Sequence, residues 1–355
     1  MSAALLASTV ALPPHTRSTT ELLPLVEHWL ANEPLRFREK VARLFRYSGV
    51  ERRYSIFSPE EVFAPLSFAQ RNQIYLERMA PLAEQALRRA LQQAELRPNE
   101  LDVLITTSCT AVAIPALDVE LINNLPLRQD IVRLPIFQMG CAGGVAALVY
   151  AEKLLRSGAL HNVAVLALES PVATLQRDDR SMANMVSAAI FGDGVACTVL
   201  SSRHPPRRLI PRIVDASMYH FYNKQHLMGF KLVEAGLQMV LDPEVPVCIE
   251  DHLEQIVTPF LEKNRLNLAS VDHFLFHPGG RKILASIDAW LAHYGKHAQW
   301  SHQVLRDYGN MSSATALFVL DLALQAPHQA GETALMLSFG PGFTSQRVLL
   351  EWAEA

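Results

Sequence analysis

The chain has 355 residues, of which half are hydrophobic and 19% are charged, and its formal net charge is −3. This composition is typical of a folded globular protein and excludes an intrinsically disordered chain, while the near-neutral charge argues against a general nucleic-acid binder. Four widely spaced cysteines argue against a disulfide-stapled secreted domain. The length predicts two domains or one duplicated domain.

The N-terminal stretch predicts neither a secretion signal nor a membrane anchor. Residues 1–12 are mildly apolar but lack a basic region, and Pro13 and Pro14 follow directly. No apolar run reaches the roughly 18–20 residues of a membrane span. We therefore expect a soluble, cytoplasmic protein.

Apolar residues at three- and four-residue spacing predict helices over 21–30 and 35–46. The second helix carries a row of basic residues, which is either a solvated face or a holder for a phosphate-bearing ligand through charge-assisted hydrogen bonds. A long amphipathic helix over 76–96 ends before Pro98, and a buried strand follows over 101–107.

Cys141 lies between a predicted strand over 130–139 and a predicted helix over 145–155. The free backbone N–H groups and the dipole at a helix start favour negative charge, which lowers the pKa of a thiol. Considered alone, however, such a cysteine is more simply a small buried residue in a glycine-rich turn.

Apolar strands over 162–168 and 195–200, alternating with helices, predict an α/β fold with a mostly parallel sheet covered on both faces. The proline- and arginine-rich stretch 202–211 is the candidate boundary between an N-terminal half, 1–205, and a C-terminal half, 206–355. In the second half, helices are predicted over 249–265 and 281–294, and strands over 272–276 and 333–338.

Each half contains a glycine and a polar residue that open a buried helix, followed by a hydrophobic strand. We interpret this as a weak internal duplication. It predicts that Cys141 and Asn310 lie at equivalent helix N-termini, facing one another.

Cys141, His277 and Asn310 together suit an enzyme that acts on thioesters. His277 follows a predicted strand and precedes a glycine-rich turn, while Asn310 alone is more simply a helix cap. A Cys141 thiolate paired with protonated His277 would accept an acyl group from a thioester. His277 and Asn310 would then stabilise the enolate left when a malonyl thioester loses CO2. This chemistry needs no metal, and the sequence shows no metal-ligand spacing.

Five segments resemble motifs of the chalcone synthase-like, type III polyketide synthase family, in family order. They are GCAGG at 140–144, FGDG at 191–194, FHPGGRKIL at 276–284, GNMSS at 309–313 and SFGPGF at 338–343. The resemblance covers roughly residue 20 to the C-terminus. It implies a homodimer with a thiolase-like αβαβα layered fold in two pseudo-duplicated halves, which needs no cofactor beyond its coenzyme A thioester substrates.

The activity that the resemblance implies is repeated decarboxylative condensation of malonyl-CoA onto an acyl-CoA starter, followed by cyclisation. We expect a fatty acyl starter and an alkylpyrone, alkylresorcinol or phloroglucinol-type product. The resemblance also assigns the nucleophile to Cys141, the oxyanion donors to His277 and Asn310, and a gatekeeping aromatic to Phe191.

By the same resemblance, Lys40 and Arg43 contact coenzyme A phosphates, and Arg46 is the candidate substitute for a lysine that plant members carry where this chain has Tyr47. Ile114 would cross the dimer interface into the partner's cavity. Other cavity positions are Thr174, Phe230, Met239 and Ser312.

Three positions set this chain apart from plant chalcone synthases. Met239 replaces a second gatekeeping phenylalanine, and Phe230 adds bulk where plant enzymes carry glycine. Cys109 resembles bacterial members that take aliphatic starters, although a packed small thiol explains it equally well. Together these residues favour the aliphatic starter.

Two other functions use the same fold. An initiating β-ketoacyl carrier-protein synthase would stop after one condensation, but its histidine usually lies in a His-Gln-Ala-Asn context that differs from the sequence after His277. A non-catalytic thiolase-fold partner subunit would usually lack the nucleophile. Malonyl-CoA decarboxylation would discriminate the scaffold from either enzyme.

Overall fold

The computed structural model describes residues 3–203 and 209–354. Within these ranges the chain forms thirteen β-strands and eleven α-helices. The strands are β1 (Ala4–Ala11), β2 (His15–Ser18), β3 (Arg52–Ser55), β4 (Val103–Thr107), β5 (Val132–Ile136), β6 (Asn162–Glu169), β7 (Gly194–Ser201), β8 (Leu209–His220), β9 (Met228–Val233), β10 (Gly236–Leu241), β11 (His273–Phe276), β12 (Thr333–Gly340) and β13 (Thr344–Glu354). The helices are α1 (Thr19–Trp29), α2 (Leu35–Arg46), α3 (Pro59–Phe63), α4 (Phe68–Gln93), α5 (Asp118–Asn124), α6 (Gly143–Arg156), α7 (Met182–Ile190), α8 (Val245–Lys263), α9 (Arg281–Ala292), α10 (Gln299–Tyr308) and α11 (Thr315–Leu324).

Nine strands form one sheet in the order β11-β12-β13-β8-β1-β7-β6-β4-β5. The strands of the first half meet those of the second at β1 and β8, where Ala4 pairs with Arg212. The strand pairs β4–β5, β4–β6 and β11–β12 are parallel, and the other five are antiparallel. The prediction of a mostly parallel sheet is therefore wrong, because the sequence analysis did not recognise β1, β8 and β13.

Successive side chains of a strand point to opposite faces of the sheet, and this alternation produces the layers. In β6, one face packs into a central core around α6 and α11, and the opposite face packs under α4. Strand β12 divides in the same way between that central core and a third core under α8 and α9. The result is helix, sheet, helix, sheet, helix, which confirms the predicted αβαβα layered fold. The predicted boundary between 205 and 206 lies outside the described residues.

The central helices α6 and α11 begin in direct contact. A Cβ atom at Gly143 would overlap Thr107 Oγ1, and one at Gly144 would overlap the carbonyl oxygen of Ser313. Only glycine lets the backbones approach this closely. Helix α11 is buried along most of its length, as predicted for a helix between two sheets.

Most predicted elements are present, with shifted ends. Helix α2 has the predicted bounds, whereas α4 begins eight residues earlier than predicted, at Phe68. Its start is set by a capping box in which Ser67 Oγ accepts a hydrogen bond from Gln70 N at 3.2 Å and Gln70 Oε1 accepts one from Ser67 N at 2.9 Å. Among the described helices, none combines the length and apolar character needed to cross a bilayer.

Candidate active site

Cys141 lies in a short 3₁₀ turn, Gly140–Ala142, that runs directly into α6. Gly140 has a φ of +50°, and a Cβ there would lie 2.5 Å from Pro341 Cδ, so this turn requires glycine. Burial raises the pKa of the Cys141 thiol to about 11, although hydrogen bonding with Ser312 and Asn310 acts in the opposite direction.

Asn310 connects the two halves of the site. It is 2% exposed. Its Oδ1 accepts a hydrogen bond from Ser312 N at 2.8 Å, and its Nδ2 donates to the carbonyl oxygen of Gly279 at 3.2 Å. On its backbone, Asn310 N donates to Ile190 O and Gly192 N donates to Asn310 O. The amide is thereby held in one orientation between Cys141 and the 277–280 turn.

His277 follows the last residue of β11 and is 5% exposed. Both ring nitrogens are buried and lack a hydrogen-bond partner among the described residues. Burial lowers the pKa of His277 to about 4. Buried polar atoms normally have partners, so an imidazole left in this state is available to a ligand. Gly279 lies beside the ring, and a Cβ there would be 3.8 Å from Nε2.

The electrostatics change one part of the expected mechanism. The sequence analysis predicts a thiolate–imidazolium pair, whereas burial penalises both charged forms. The directions of the two pKa shifts favour a thiol at Cys141 and a neutral imidazole at His277. Neither ring nitrogen of His277 hydrogen-bonds to Cys141 Sγ, so the predicted ion pair is not formed in this structure.

A narrow cavity of about 20 Å³ touches the sulfur, enough for roughly one water molecule. Its walls include Phe191, Ser312, Phe230 and Met239. The last two are direct cross-strand partners in the β9–β10 hairpin. The structure therefore brings four of the predicted cavity residues together around Cys141.

A second cavity, of about 70 Å³, lies on the other side of Phe191. Thr174 lines this second cavity and is absent from the lining of the first. The remaining walls are mostly apolar and include Val26, Phe57 and Leu175. Phe191 lines both cavities, so this aromatic ring lies between them.

A groove of about 680 Å³ runs along the surface to the His277 turn. Its walls include Lys40, Arg43 and Gly279. Arg281 and Lys282 supply two further cations at the start of α9, which the sequence analysis did not assign although they lie within a quoted motif. Arg46 lines a different groove, of about 630 Å³, so the structure separates it from Lys40 and Arg43.

Cys109 is buried beside Cys141. Its Sγ lies 3.2 Å from Ser312 Oγ, and burial raises the pKa of the Cys109 thiol well above its ordinary value. The Ser312 hydroxyl also acts on the Cys141 thiol, so it contacts both sulfur-bearing residues. Ile114, in contrast, is 95% exposed and lines neither cavity.

Sequence analysis missed a buried carboxyl group, Glu169, at the end of β6. It accepts hydrogen bonds from Thr110 Oγ1 at 2.7 Å, from Ser313 Oγ, and from Cys109 N at 3.1 Å. Burial raises the pKa of Glu169 to about 7. Its signal in the sequence is an acidic residue that closes an otherwise apolar strand.

Comparison with known proteins places this geometry in context. Residues 2–204 match the family model of the chalcone and stilbene synthase N-terminal domain, and residues 212–353 match that of the C-terminal domain. The chain is 35% identical to a 1,3,6,8-tetrahydroxynaphthalene synthase of Streptomyces peucetius subsp. caesius, over 96% of this chain and 91% of the relative. It is 29% identical to a phloroglucinol synthase of Pseudomonas fluorescens, over 97% of each chain.

Among solved structures, the 1,3,6,8-tetrahydroxynaphthalene synthase of Streptomyces coelicolor A3(2), described as a bacterial type III polyketide synthase, superposes with a TM-score of 0.91. The two chains are 26% identical, and the superposition covers 99% of this chain and all of the other.

Proposed function

Because the chain belongs to the chalcone and stilbene synthase family of type III polyketide synthases, we propose that it extends a fatty acyl-CoA starter with malonyl-CoA and cyclises the product. Its enzyme class is acyltransferase, with coenzyme A thioesters as substrates. The observation that carries the proposal is the contact series from Cys141 through Asn310 and Gly279 to His277. Gly279 also lines a groove whose walls carry four cationic side chains.

In the loading step, His277 accepts the proton of the Cys141 thiol. The thiolate attacks the carbonyl carbon of acyl-CoA, the carbon–sulfur bond to coenzyme A breaks, and coenzyme A leaves with the proton. Lys40, Arg43, Arg281 and Lys282 are placed to bind its phosphates by charge-assisted hydrogen bonds. The acyl group remains on Cys141 as a thioester.

In the extension step, malonyl-CoA loses CO2 and its thioester oxygen gains negative charge. His277, donating from its protonated ring nitrogen, and the Asn310 amide stabilise that oxygen. The enolate carbon attacks the acyl carbonyl on Cys141, a carbon–carbon bond forms, and the Cys141 thiolate leaves. Return of the lengthened chain to Cys141 permits another cycle, and ring closure ends the series.

The second cavity supports the choice of a fatty acyl starter. Its mostly apolar wall beyond Phe191 suits a hydrocarbon chain, because each buried methylene contributes about 0.8 kcal/mol. Met239 and Phe230, at the sulfur, add apolar surface of adjustable shape. An alkylpyrone or alkylresorcinol is the product we propose.

A malonyl-primed reaction is the second candidate, and the 35% identity to a 1,3,6,8-tetrahydroxynaphthalene synthase favours it. Incubation of the pure enzyme with labelled malonyl-CoA, alone and with acyl-CoA starters of graded length, separates the two. The fatty-acyl proposal predicts alkylated products by mass spectrometry, with turnover that rises with chain length. Turnover with malonyl-CoA alone, unchanged by fatty acyl-CoA, would refute it. A single condensation that requires acyl carrier protein would refute both.

We also propose a homodimer in the cytoplasm. Exposed apolar side chains on β5, directly after it and in the loop after β4 suit a protein interface. They are Val132, Phe137, Val112 and Ile114. The four cysteines are free, which suits a reducing compartment. Equilibrium sedimentation of the wild type and of Ile114→Asp tests the dimer; a monomeric wild type at micromolar concentration would contradict it.

A further inference from the structure

Two histidines and one glutamate converge at the opposite end of β11 from His277. His273 is the first residue of that strand, Glu332 immediately precedes β12, and His328 lies in the loop after α11. Their ligand atoms all lie within 4.8 Å of one another. Strand β11 has four residues, which separates this group from the catalytic histidine by about 13 Å.

The hydrogen bonds of His328 fix its chemistry. Its Nε2 lies 2.8 Å from the carbonyl oxygen of Ala323, which can only accept, so Nε2 carries a proton. Its Nδ1 therefore points a lone pair, or a second proton, at Glu332 Oε2, 2.8 Å away. His273 Nε2 lies 3.0 Å from that same oxygen. Two imidazole nitrogens thus aim at one carboxylate oxygen.

This arrangement has the features of a transition-metal site. Metal-bound histidine usually donates its other N–H to a carbonyl or carboxylate, as His328 does to Ala323. With metal–nitrogen bonds of about 2.0–2.1 Å, neighbouring tetrahedral ligands lie about 3.3 Å apart. The two nitrogen–oxygen distances, 2.8 Å and 3.0 Å, are close to that spacing. Two imidazoles and one carboxylate suit Zn²⁺ and leave a coordination position open.

The surroundings hold these ligands in place. The His328 ring stacks on Trp352 with centroids 3.9 Å apart, and the His273 ring packs edge-on against Trp300 at 5.2 Å. The His328 side chain is only 4% exposed, whereas those of His273 and Glu332 are 22% and 27% exposed, so an ion can enter from one side.

We propose that His273, His328 and Glu332 form a binding site for a divalent transition-metal ion, with Zn²⁺ as the physiological candidate. The ion would join the starts of β11 and β12 to the loop after α11. Because the site lies at the far end of β11 from the reacting groups, the ion would take no part in the condensation.

Calorimetric titration of the tag-free chain with Zn²⁺ tests the site. The titration uses the Cys141→Ala chain as the parent, so that zinc bound by the Cys141 thiol does not contribute to the measured stoichiometry. We expect one ion per chain, with affinity lowered at least tenfold by His273→Gln and by Glu332→Gln. His302→Gln is the matched control, because His302 also pairs with a carboxylate, Asp288, on an exposed surface without a second histidine. This variant should bind as tightly as its parent.

A second measurement does not depend on the variants folding. Paramagnetic Ni²⁺ bound at this site lies beside Trp352 and Trp300, so it should quench part of the tryptophan fluorescence of the parent chain, and excess Zn²⁺ should reverse the quenching. No stoichiometric Zn²⁺ binding in the parent chain would overturn the proposal. So would binding that persists unchanged in folded His273→Gln and Glu332→Gln chains, or an absence of Ni²⁺ quenching.

Discussion

The start of α6, which carries Cys141, can be set beside the start of α11, which follows Asn310. At the first, glycines predominate and Ala142, the cap residue, makes no side-chain hydrogen bond to the backbone. At the second, Asn310 Oδ1 accepts from Ser312 N and Thr315 Oγ1 accepts from Met311 N at 2.8 Å. Both helices therefore begin without a side-chain cap, at Ala142 and Ala314. The difference lies in the turn before α11, where side-chain hydrogen bonds hold the Asn310 amide in place.

Replacing Cys141 should have the largest effect, and it should affect product formation and malonyl-CoA decarboxylation differently. In Cys141→Ala, no acyl-enzyme can form, so product formation should fall at least about 10³-fold. Malonyl-CoA decarboxylation should persist, because the oxyanion donors remain. Mass spectrometry of products and release of labelled CO2 measure the two reactions. His277→Ala should lose both, and equal loss of both in Cys141→Ala would contradict this division of roles.

Changing the second helix start should affect decarboxylation itself. Asn310→Ala removes a donor aimed at the enolate oxygen, so labelled CO2 release should fall about 10²–10³-fold. Thr315→Ala is the comparison variant, because it keeps the Asn310 amide and removes a hydroxyl that accepts from Met311 N at 2.8 Å and donates to Asn310 Oδ1 at 3.2 Å. It should cost about 1 kcal/mol of unfolding free energy and slow CO2 release far less than Asn310→Ala does. If Thr315→Ala slows decarboxylation as much as Asn310→Ala, the hydrogen bonds that position the amide account for the effect, and donation to the enolate oxygen does not.

The contact between the two starts can be tested by adding one methyl group. Ala at Gly144 would overlap the carbonyl oxygen of Ser313, so Gly144→Ala should lower the free energy of unfolding by about 1–3 kcal/mol. Chemical denaturation measures this change. Gly229→Ala, at a site with no atom within 4 Å of the new Cβ, should be nearly neutral. Equal stabilities would mean that the helices separate freely.

The smallest expected effect concerns the charge state of the nucleophile. With the pKa of Cys141 raised to about 11, the thiolate fraction grows as the pH rises toward that value. Alkylation of Cys141 by iodoacetamide, followed by peptide mass spectrometry, should therefore accelerate about tenfold per pH unit between pH 7 and 9. A rate that is already constant near pH 7 would instead support the thiolate–imidazolium pair that the sequence predicts.

Site residues that lie in short local motifs could be identified from the sequence, whereas groups formed by residues distant in the chain could not. Cys141, His277 and Asn310 were identifiable because each lies in a short motif beside a recognisable strand or helix. Strand β13 was missed, although its hairpin with β12 is local. The antiparallel strands β1 and β8 were also missed, since their pairing joins segments far apart in the chain. Glu169 and the His273–His328–Glu332 group were missed for the same reason. Only folding brings their partners together.

The β9–β10 hairpin forms a two-stranded sheet of its own and pairs Phe230 with Met239 above the sulfur. The strands that end at His277 and Glu169 belong instead to the nine-stranded sheet. Replacing a large side chain on the β9–β10 hairpin by a small one should therefore change the structure only locally. Substitutions at Phe230 or Met239 should change the room beside Cys141 without displacing His277 or Glu169.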